Sequence, residues 1–416
     1  MDFYTIVPSV LGSIALIYIL RIVIGTFVKL LPKRIRQLPE VLPTVSVVIP
    51  CYNEGKGIYL TLESLSKADY PSHLFDVTVI DDCSVDDSLD WIKKGISKFS
   101  NINIKYIRQP INKGKQEAII TGFYNSSGDI FVLFDSDVVV SPSVLKAFVR
   151  ELQDPKLGIV GASCGVYDVN RDLISQAYAS VFYSLHEWMK QIESSIGCVS
   201  VVDGKSMGFR RSVYAEVLPI MRDREWLGLH MQAGEDRHVT HLITLRGYKS
   251  KMILERINTS APPNLVNLYK QQLRWRRSGL RDFLWVVTDL PRHIALIGPL
   301  KTFLLMISRM YYLILPLTYL IVIYLSGIEG LIESHMAFLP ILVGIRICLN
   351  VHAYFYQKDQ VVNNPILTSI GLAAWMSVDM FITTMVAFLT LDEGGWGTRS
   401  LPSESANNNP SIVTVN

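Results

Sequence analysis

The chain has 416 residues, 40 Lys and Arg against 37 Asp and Glu, a formal net charge of +3, and 49% apolar against 19% charged residues. That length exceeds the roughly 250–300 residues one core supports. The apolar content excludes a disordered chain, and the small net charge offers no electrostatic footprint for nucleic acid.

The hydrophobicity comes in blocks. Residues 4–31 are mostly apolar, long enough to cross about 30 Å of hydrocarbon. A cleaved signal peptide is the alternative. The lack of a basic start and of a small-residue cleavage site favours an uncleaved anchor over residues 1–32. Lys33, Arg34 and Arg36 follow, which puts the N-terminus outside and the chain from residue 33 onward in the cytosol; an integral plasma-membrane location is expected.

Residues 44–263 form a water-soluble block. Runs at 45–49, 77–80, 104–107 and 130–134 read as strands, and 60–67, 88–99 and 116–124 as helices. Strands alternating with helices predict an α/β fold with a mostly parallel sheet. Polar residues gather just after the strands, where open α/β sheets bind ligands. Five cysteines (Cys51, Cys83, Cys164, Cys198, Cys348) show no C-x-x-C spacing, which argues against a zinc site or disulfide framework.

Residues 264–290 carry Leu265, Tyr269, Leu273, Leu280, Leu284 and Val287 at helical spacing, with Lys270, Arg274, Arg276, Arg277 and Arg281 between them. This reads as an interfacial amphipathic helix, or as a soluble helix packed on the sheet. Within 299–392, three apolar stretches at 303–326, 336–355 and 366–390 are expected to make a multi-pass transmembrane region. The loop 327–335 has two Glu and no Lys or Arg, so it is expected outside. Arg309, Arg346 and His352 lie inside these stretches. They either snorkel or form structural pairs, with Asp379 as a candidate partner, or they line the polar wall of an exit channel. The Ser/Asn-rich tail, 400–416, is expected to be disordered.

Taken singly, the polar clusters have ordinary structural explanations. Asp135-Ser136-Asp137 ends a strand. Two such carboxylates can hold a hard divalent cation and so neutralise a diphosphate, or simply cap a turn. Together the clusters say more. In order come Cys51-Tyr52-Asn53-Glu54, Asp81-Asp82, Asn112-Lys113-Gly114-Lys115, D-x-D, Gly234-Glu235-Asp236-Arg237, Gln271-x-x-Arg274-Trp275 and Trp396-Gly397-Thr398-Arg399.

This ordered set resembles the processive family 2 glycosyltransferases: hyaluronan synthase, type 3 capsule synthase, chitin synthase and the nodulation chitooligosaccharide synthase. The resemblance runs from about Val45 to Arg399. It implies a GT-A glycosyltransferase domain with α-helical transmembrane and interfacial segments. It also implies an inverting β-glycosyltransferase that polymerises UDP-sugars (UDP-GlcNAc, UDP-GlcA or UDP-Glc) with Mg²⁺ or Mn²⁺ and exports the polysaccharide through the bilayer.

The residue roles follow from the same resemblance. Tyr52 and Asp82 would hold uracil, Glu54 would belong to the donor site, and Lys115 would meet the phosphates. Asp135 and Asp137 would place diphosphate and metal, and Asp236 would be the general base. Arg274 would stabilise the leaving diphosphate. Trp275 and Gln271 would contact the acceptor, with Gly204 beside it, and Trp396, Thr398 and Arg399 would close the site. Where hyaluronan synthases carry Cys-Ser-Gly-Pro, this chain has Asp203-Gly204-Lys205-Ser206 within 202–210, which looks closer to the type 3 capsule synthase. Gly-Glu-Asp-Arg is the chitin-type form, so the polymer stays open. The alternatives are a chitin or chitooligosaccharide synthase and a non-processive lipid-phosphate glycosyltransferase.

Overall fold

A computed structural model describes residues 36–393 except 223, 227, 232 and 357–360, with scattered positions between 12 and 31 and the strand Val413–Val415. The expected anchor falls mostly outside the described residues, as do Trp396, Thr398 and Arg399.

Four parallel strands make the first half of the sheet: β1 (Val45–Cys51), β2 (Phe75–Asp81), β3 (Asn103–Arg108) and β4 (Ile130–Phe134). Side chains alternate across a strand. Val47, Ile49, Val77, Val79, Val132 and Phe134 enter one core, while Val48, Ile80, Phe131 and Leu133 enter the other. Helices cover both faces, so β1, β2 and β4 are buried almost throughout and rich in Val, Ile and Phe, while β3 nearer the sheet edge is mostly half-exposed. Ile58 and Leu62 of α1 (Lys56–Leu65) and Ile92 of α2 (Ser88–Lys98) pack into the first core. Ala118, Ile119 and Phe123 of α3 (Lys115–Tyr124) pack into the second. On α3, a Cβ at Gly122 would lie 2.2 Å from Val48 Cγ1, so only glycine lets this helix approach β1 so closely.

The second half is mixed. It runs β5 (Val138–Val140), α4 (Val144–Leu152), β6 (Leu157–Val166), α5 (Leu173–Ser184), a π turn (Leu185–Met189) and α6 (Lys190–Ser195). Then come β7 (Ser206–Arg210), α7 (Arg211–Arg222), the short pair β8 (Glu225–Trp226) and β9 (Leu229–His230), α8 (Glu235–Thr244) and β10 (Lys249–Thr259). β7 inserts antiparallel between β4 and β6, and β10 runs parallel to β6. The expected disordered tail lies outside the described residues apart from β11 (Val413–Val415), which pairs antiparallel with β3. The sheet order is β11-β3-β2-β1-β4-β7-β6-β10-β5.

Four helices follow: α9 (Leu265–Thr288), α10 (Leu290–Ile297), α11 (Pro299–Tyr356) and α12 (Pro365–Leu389). Asn264 caps α9 by accepting the Asn267 N–H at 2.9 Å. The basic residues of α9 are divided, with Lys270 exposed and Arg274 and Arg277 half-buried. Arg276 and Arg281 are buried in it. Arg276 pairs with Asp379 of α12 at 2.7 Å, and Arg281 donates to the Leu391 and Glu393 carbonyls.

The expected external loop at 327–335 is helical apart from a break at Gly327, whose φ is 67°. Arg309 is 2% exposed and lies 3.0 Å from Asp282 of α9, a charge contact not aligned as a hydrogen bond. Its guanidinium also donates to the Ser200 carbonyl. These contacts fit the structural pair better than the channel wall, with Asp282 rather than Asp379 as the acid. Among the described residues no helix is long and apolar enough to cross a membrane. Leu300, Phe303 and Tyr324 on α11 and Ile366, Leu367 and Leu389 on α12 are exposed.

Candidate active site

The carboxyl ends of β1, β2 and β4 deliver their polar residues to one edge of the sheet, as parallel strands must. After β1, Asn53 takes a left-handed conformation (φ 52°), which Asn tolerates better than most residues. Its N–H donates to Ser84 Oγ at 3.0 Å, and its Oδ1 accepts the Val85 N–H at 2.9 Å. The Glu54 and Gly55 N–H groups donate to Ser88 Oγ at 2.7 and 2.8 Å. The loops after β1 and β2 are therefore stapled together, and half-buried Tyr52 belongs to the first of them.

Asp82 is 1% exposed and accepts the Lys113 and Gly114 N–H groups, each at 2.8 Å. It holds the loop that leads to Lys115. Lys115 Nζ then reaches Asp135 Oδ1 at 2.7 Å and Glu235 Oε1 at 2.8 Å. Burial alone would lower the pKa of this ammonium, but the two carboxylates hold it above the ordinary lysine range. Lys115 thus joins the D-x-D turn to the start of α8. Ser136 Oγ donates to Glu54 Oε2 at 3.0 Å, which brings Glu54 to the same turn.

Asp137 accepts the Thr259 hydroxyl at 2.8 Å. Burial pushes its carboxyl up and the like charge of Asp135 adds to this, while Lys205 opposes it. Two neighbouring hard oxygen donors suit a Mg²⁺ or Mn²⁺ ion. Among the described residues no group of three or more His, Cys, Asp and Glu converges on a metal position. A cation here would need further oxygens from a bound diphosphate.

α8 begins at Gly234, whose φ of 85° is cheap for glycine. Arg224 fixes the preceding loop by donating to the Met231 and Ala233 carbonyls at 2.7 and 2.9 Å. Glu235 and Asp236 sit in the first helical turn, where the macrodipole favours carboxylates. Burial would raise the Glu235 carboxyl, but Lys115 draws it below its usual value. Asp236 Oδ1 accepts the Arg237 N–H at 2.8 Å and Oδ2 accepts the Gly204 N–H at 3.1 Å. A Cβ on Gly204 would lie 3.2 Å from Lys115 Nζ and 3.3 Å from Glu235 Oε1, tight enough to disturb both.

From α9, Gln271 Oε1 accepts the Tyr178 hydroxyl at 3.0 Å. Trp275 stacks with Tyr178 and Phe182 of α5, each centroid 6.4 Å away, and Lys205 Nζ lies 5.2 Å from the Trp275 ring. Arg274 is partly buried on the same helix. The structure therefore brings Lys115, Asp135, Glu235, Asp236 and Gly204 into one cluster, with Glu54 and Asp137 attached through the D-x-D turn. Gln271 and Trp275 lie beside Tyr178, Phe182 and Lys205.

Sequence reasoning gave no role to Glu235, Lys205, Tyr178 or Phe182. Glu235 stood inside a quoted motif, and Tyr178 and Phe182 are spaced four apart, as one helix face requires. Nothing in that spacing says what the face meets.

Residues 46–218 match the family Glycosyl transferase family 2. The chain is 30% identical over 250 residues to an N-acetylglucosaminyltransferase of Mesorhizobium japonicum, covering 58% of this chain and 57% of that one. It therefore spans little more than half of that relative's length. A Sinorhizobium fredii N-acetylglucosaminyltransferase is 29% identical, covering 66% of this chain and 69% of its own. A hyaluronan synthase of Streptococcus pyogenes is 23% identical over 85% of this chain and 83% of its own. Among solved structures, a Pyrobaculum calidifontis mannosyltransferase in complex with GDP-Man and Mn²⁺ superposes with a TM-score of 0.60 at 18% identity. It covers 89% of this chain and 98% of that one, a likeness of fold.

Proposed function

From a chain that carries a glycosyltransferase family 2 domain on a GT-A-like α/β fold, we propose an inverting β-glycosyltransferase that moves N-acetylglucosamine from UDP-N-acetylglucosamine to a sugar acceptor, building a chitooligosaccharide-type product. The observation that carries this reading is the Lys115 bridge, which joins Asp135 of the D-x-D turn to Glu235, next to Asp236. Diphosphate and acceptor chemistry then share one cluster. The rhizobial relatives' names favour N-acetylglucosamine over other sugars.

In the proposed reaction Tyr52 and Asp82 bind the uracil side, and Lys115 turns from its carboxylates to the diphosphate. Asp135 and Asp137 would hold a divalent cation, which supplies positive charge against the leaving group. Asp236 accepts the proton of an acceptor hydroxyl. The hydroxyl oxygen bonds to the anomeric carbon from the face opposite the departing UDP oxygen, so the configuration inverts. Arg274 faces the charge that develops on UDP. Arg399, Trp396 and Thr398 close the site in this scheme.

We place the enzyme at the plasma membrane, with the catalytic domain cytosolic and the growing chain leaving through the apolar region. The apolar stretches of the sequence and the exposed apolar side chains of α11 and α12 support this. The coverage of the hyaluronan synthase, 85% of this chain, favours a second reading in which two UDP-sugars alternate.

The test is purified full-length chain with UDP-GlcNAc, UDP-GlcA and UDP-Glc, singly and in pairs, with Mg²⁺ or Mn²⁺, read by mass spectrometry. N-acetylglucosamine oligomers from UDP-GlcNAc alone are expected. Product only when UDP-GlcA is added supports the second reading, and no product from any combination overturns both.

A further inference from the structure

Asp203 has no part in the scheme above, yet both oxygens of its carboxylate are engaged. Lys190 Nζ lies 2.5 Å from Oδ1 and His186 Nε2 lies 2.9 Å from Oδ2. The two donor side chains are 4% and 2% exposed. Burial holds the His186 pKa down against the pull of Asp203. The ring is therefore neutral near pH 7 and gives its one proton, on Nε2, to Asp203. Its Nδ1 is buried without a hydrogen-bond partner.

The π turn makes this reach possible. Steps of four along a 3.6-residue helix drift around the axis by about 40° each. The wider winding of Leu185–Met189 takes back part of that drift. Tyr178, Phe182, His186 and Lys190 can then address one surface, the first two meeting Trp275 and the last two Asp203. From behind, the turn is anchored by Trp188 against the His352 ring of α11, at 4.6 Å.

Asp203 opens a tight turn in which the Ser206 N–H donates to its carbonyl at 3.1 Å. Inside that turn, the Gly204 N–H donates to Asp236 Oδ2 at 3.1 Å and the Lys205 carbonyl accepts the Asp135 N–H at 3.2 Å. One four-residue segment thus touches both the carboxylate of Asp236 and the backbone of the D-x-D turn.

We propose that Asp203, gripped by His186 and Lys190, is a positioning residue that fixes the Gly204 N–H against Asp236 and so orients that carboxylate toward the acceptor hydroxyl. This rests on the reading of Asp236 as the base. The clamp touches neither donor nor acceptor. Its loss lets the turn relax and Asp236 rotate, which slows the chemical step and leaves the uracil and diphosphate contacts in place.

The test uses the full chain with UDP-N-acetylglucosamine, a chitooligosaccharide acceptor and Mn²⁺, with UDP binding measured by calorimetry on the same preparations. Asp203→Asn and His186→Leu are expected to lower kcat by about 10- to 100-fold, the scale of a small misplacement of a reacting group, with UDP affinity unchanged. His186→Gln keeps a donor and is expected to restore most of the rate. Wild-type kcat in Asp203→Asn and His186→Leu, a parallel loss of kcat and UDP binding, or a Gln variant as slow as Leu would each overturn the clamp. Asp236→Asn separates the two levels. Activity surviving there removes the base assignment, whereas loss there beside unaffected Asp203 and His186 variants removes the clamp alone.

Discussion

Glu235 and Asp236 are adjacent on α8, yet their surroundings give them different work. Glu235 is 5% exposed and ion-paired to Lys115, while Asp236 accepts backbone N–H groups. Asp236→Asn preserves shape and removes basicity, so transfer should fall by roughly 10²–10⁴-fold with UDP binding retained, as calorimetry would show. Glu235→Gln should act on stability instead. A carboxyl held below its unfolded value stabilises the fold above that value and loses the contribution as pH falls through the folded one. Acid unfolding monitored below pH 4.5 should therefore be less steep in Glu235→Gln than in wild type, and equal slopes would show that the Lys115 pair contributes nothing. Asp135, Asp137, Lys115 and Asp236 could be read from the sequence because each follows a strand end or opens a helix. Asp203 could not, since its importance lies in His186 and Lys190, which a π turn aims at it and no spacing announces.

Helix α9 joins two environments. Gln271 and Trp275 meet Tyr178 and Phe182 on the sheet side, while Arg276 reaches Asp379 and Thr384 of α12. Asp379 also accepts the Thr383 hydroxyl. Removing Asp379 alone strands the Arg276 guanidinium in a buried position, a change that typically costs about 3–5 kcal/mol. Asp379→Leu should lower the thermal midpoint sharply, and Arg276→Met combined with Asp379→Leu should recover part of the loss. If the double variant unfolds as early as the single one, the pair is not the cause. At this scale β1, β2 and β4 were legible because burial on both faces writes Val-, Ile- and Phe-rich runs, whereas the mostly half-exposed β3 and helices α1 to α3 were legible from their place in the strand–helix alternation. β6 and β10 were not. β6 mixes Gly, Ala, Ser and Cys into its run, and β10 carries Lys, Glu and Arg and shifts register twice against β6. The charges inside the late apolar stretches were visible, but their partners on α9 were not, because such pairing depends on how the helices pack.

Across the whole molecule, the junction between α8 and the later helices is rich in buried histidine. His238 lies against Trp285 at 4.5 Å, and His241 Nε2 lies 2.9 Å from Asp289 Oδ2. Burial, with Arg224 and His241 adding, brings the His238 pKa down to about 3, and burial also holds His241 well below its usual value. The unfolded chain takes up these protons below about pH 6.5 while the folded chain refuses them, so each fully buried ring lowers stability by up to about 1.4 kcal/mol per pH unit on acidification. The thermal midpoint should fall between pH 6.5 and 5, and His238→Phe should flatten that slope. A midpoint constant over the range would mean the rings stay accessible to protons in the fold. The cross-links from α9 to the apolar helices carry a practical lesson for anyone building hybrids between relatives of this chain. A seam at Gly298 looks natural because the helix ends there, yet it would separate Asp282 from Arg309 and Arg276 from Asp379. Residues 265–393 travel as one cassette, and a recombination point that respects these pairs belongs before Asn264.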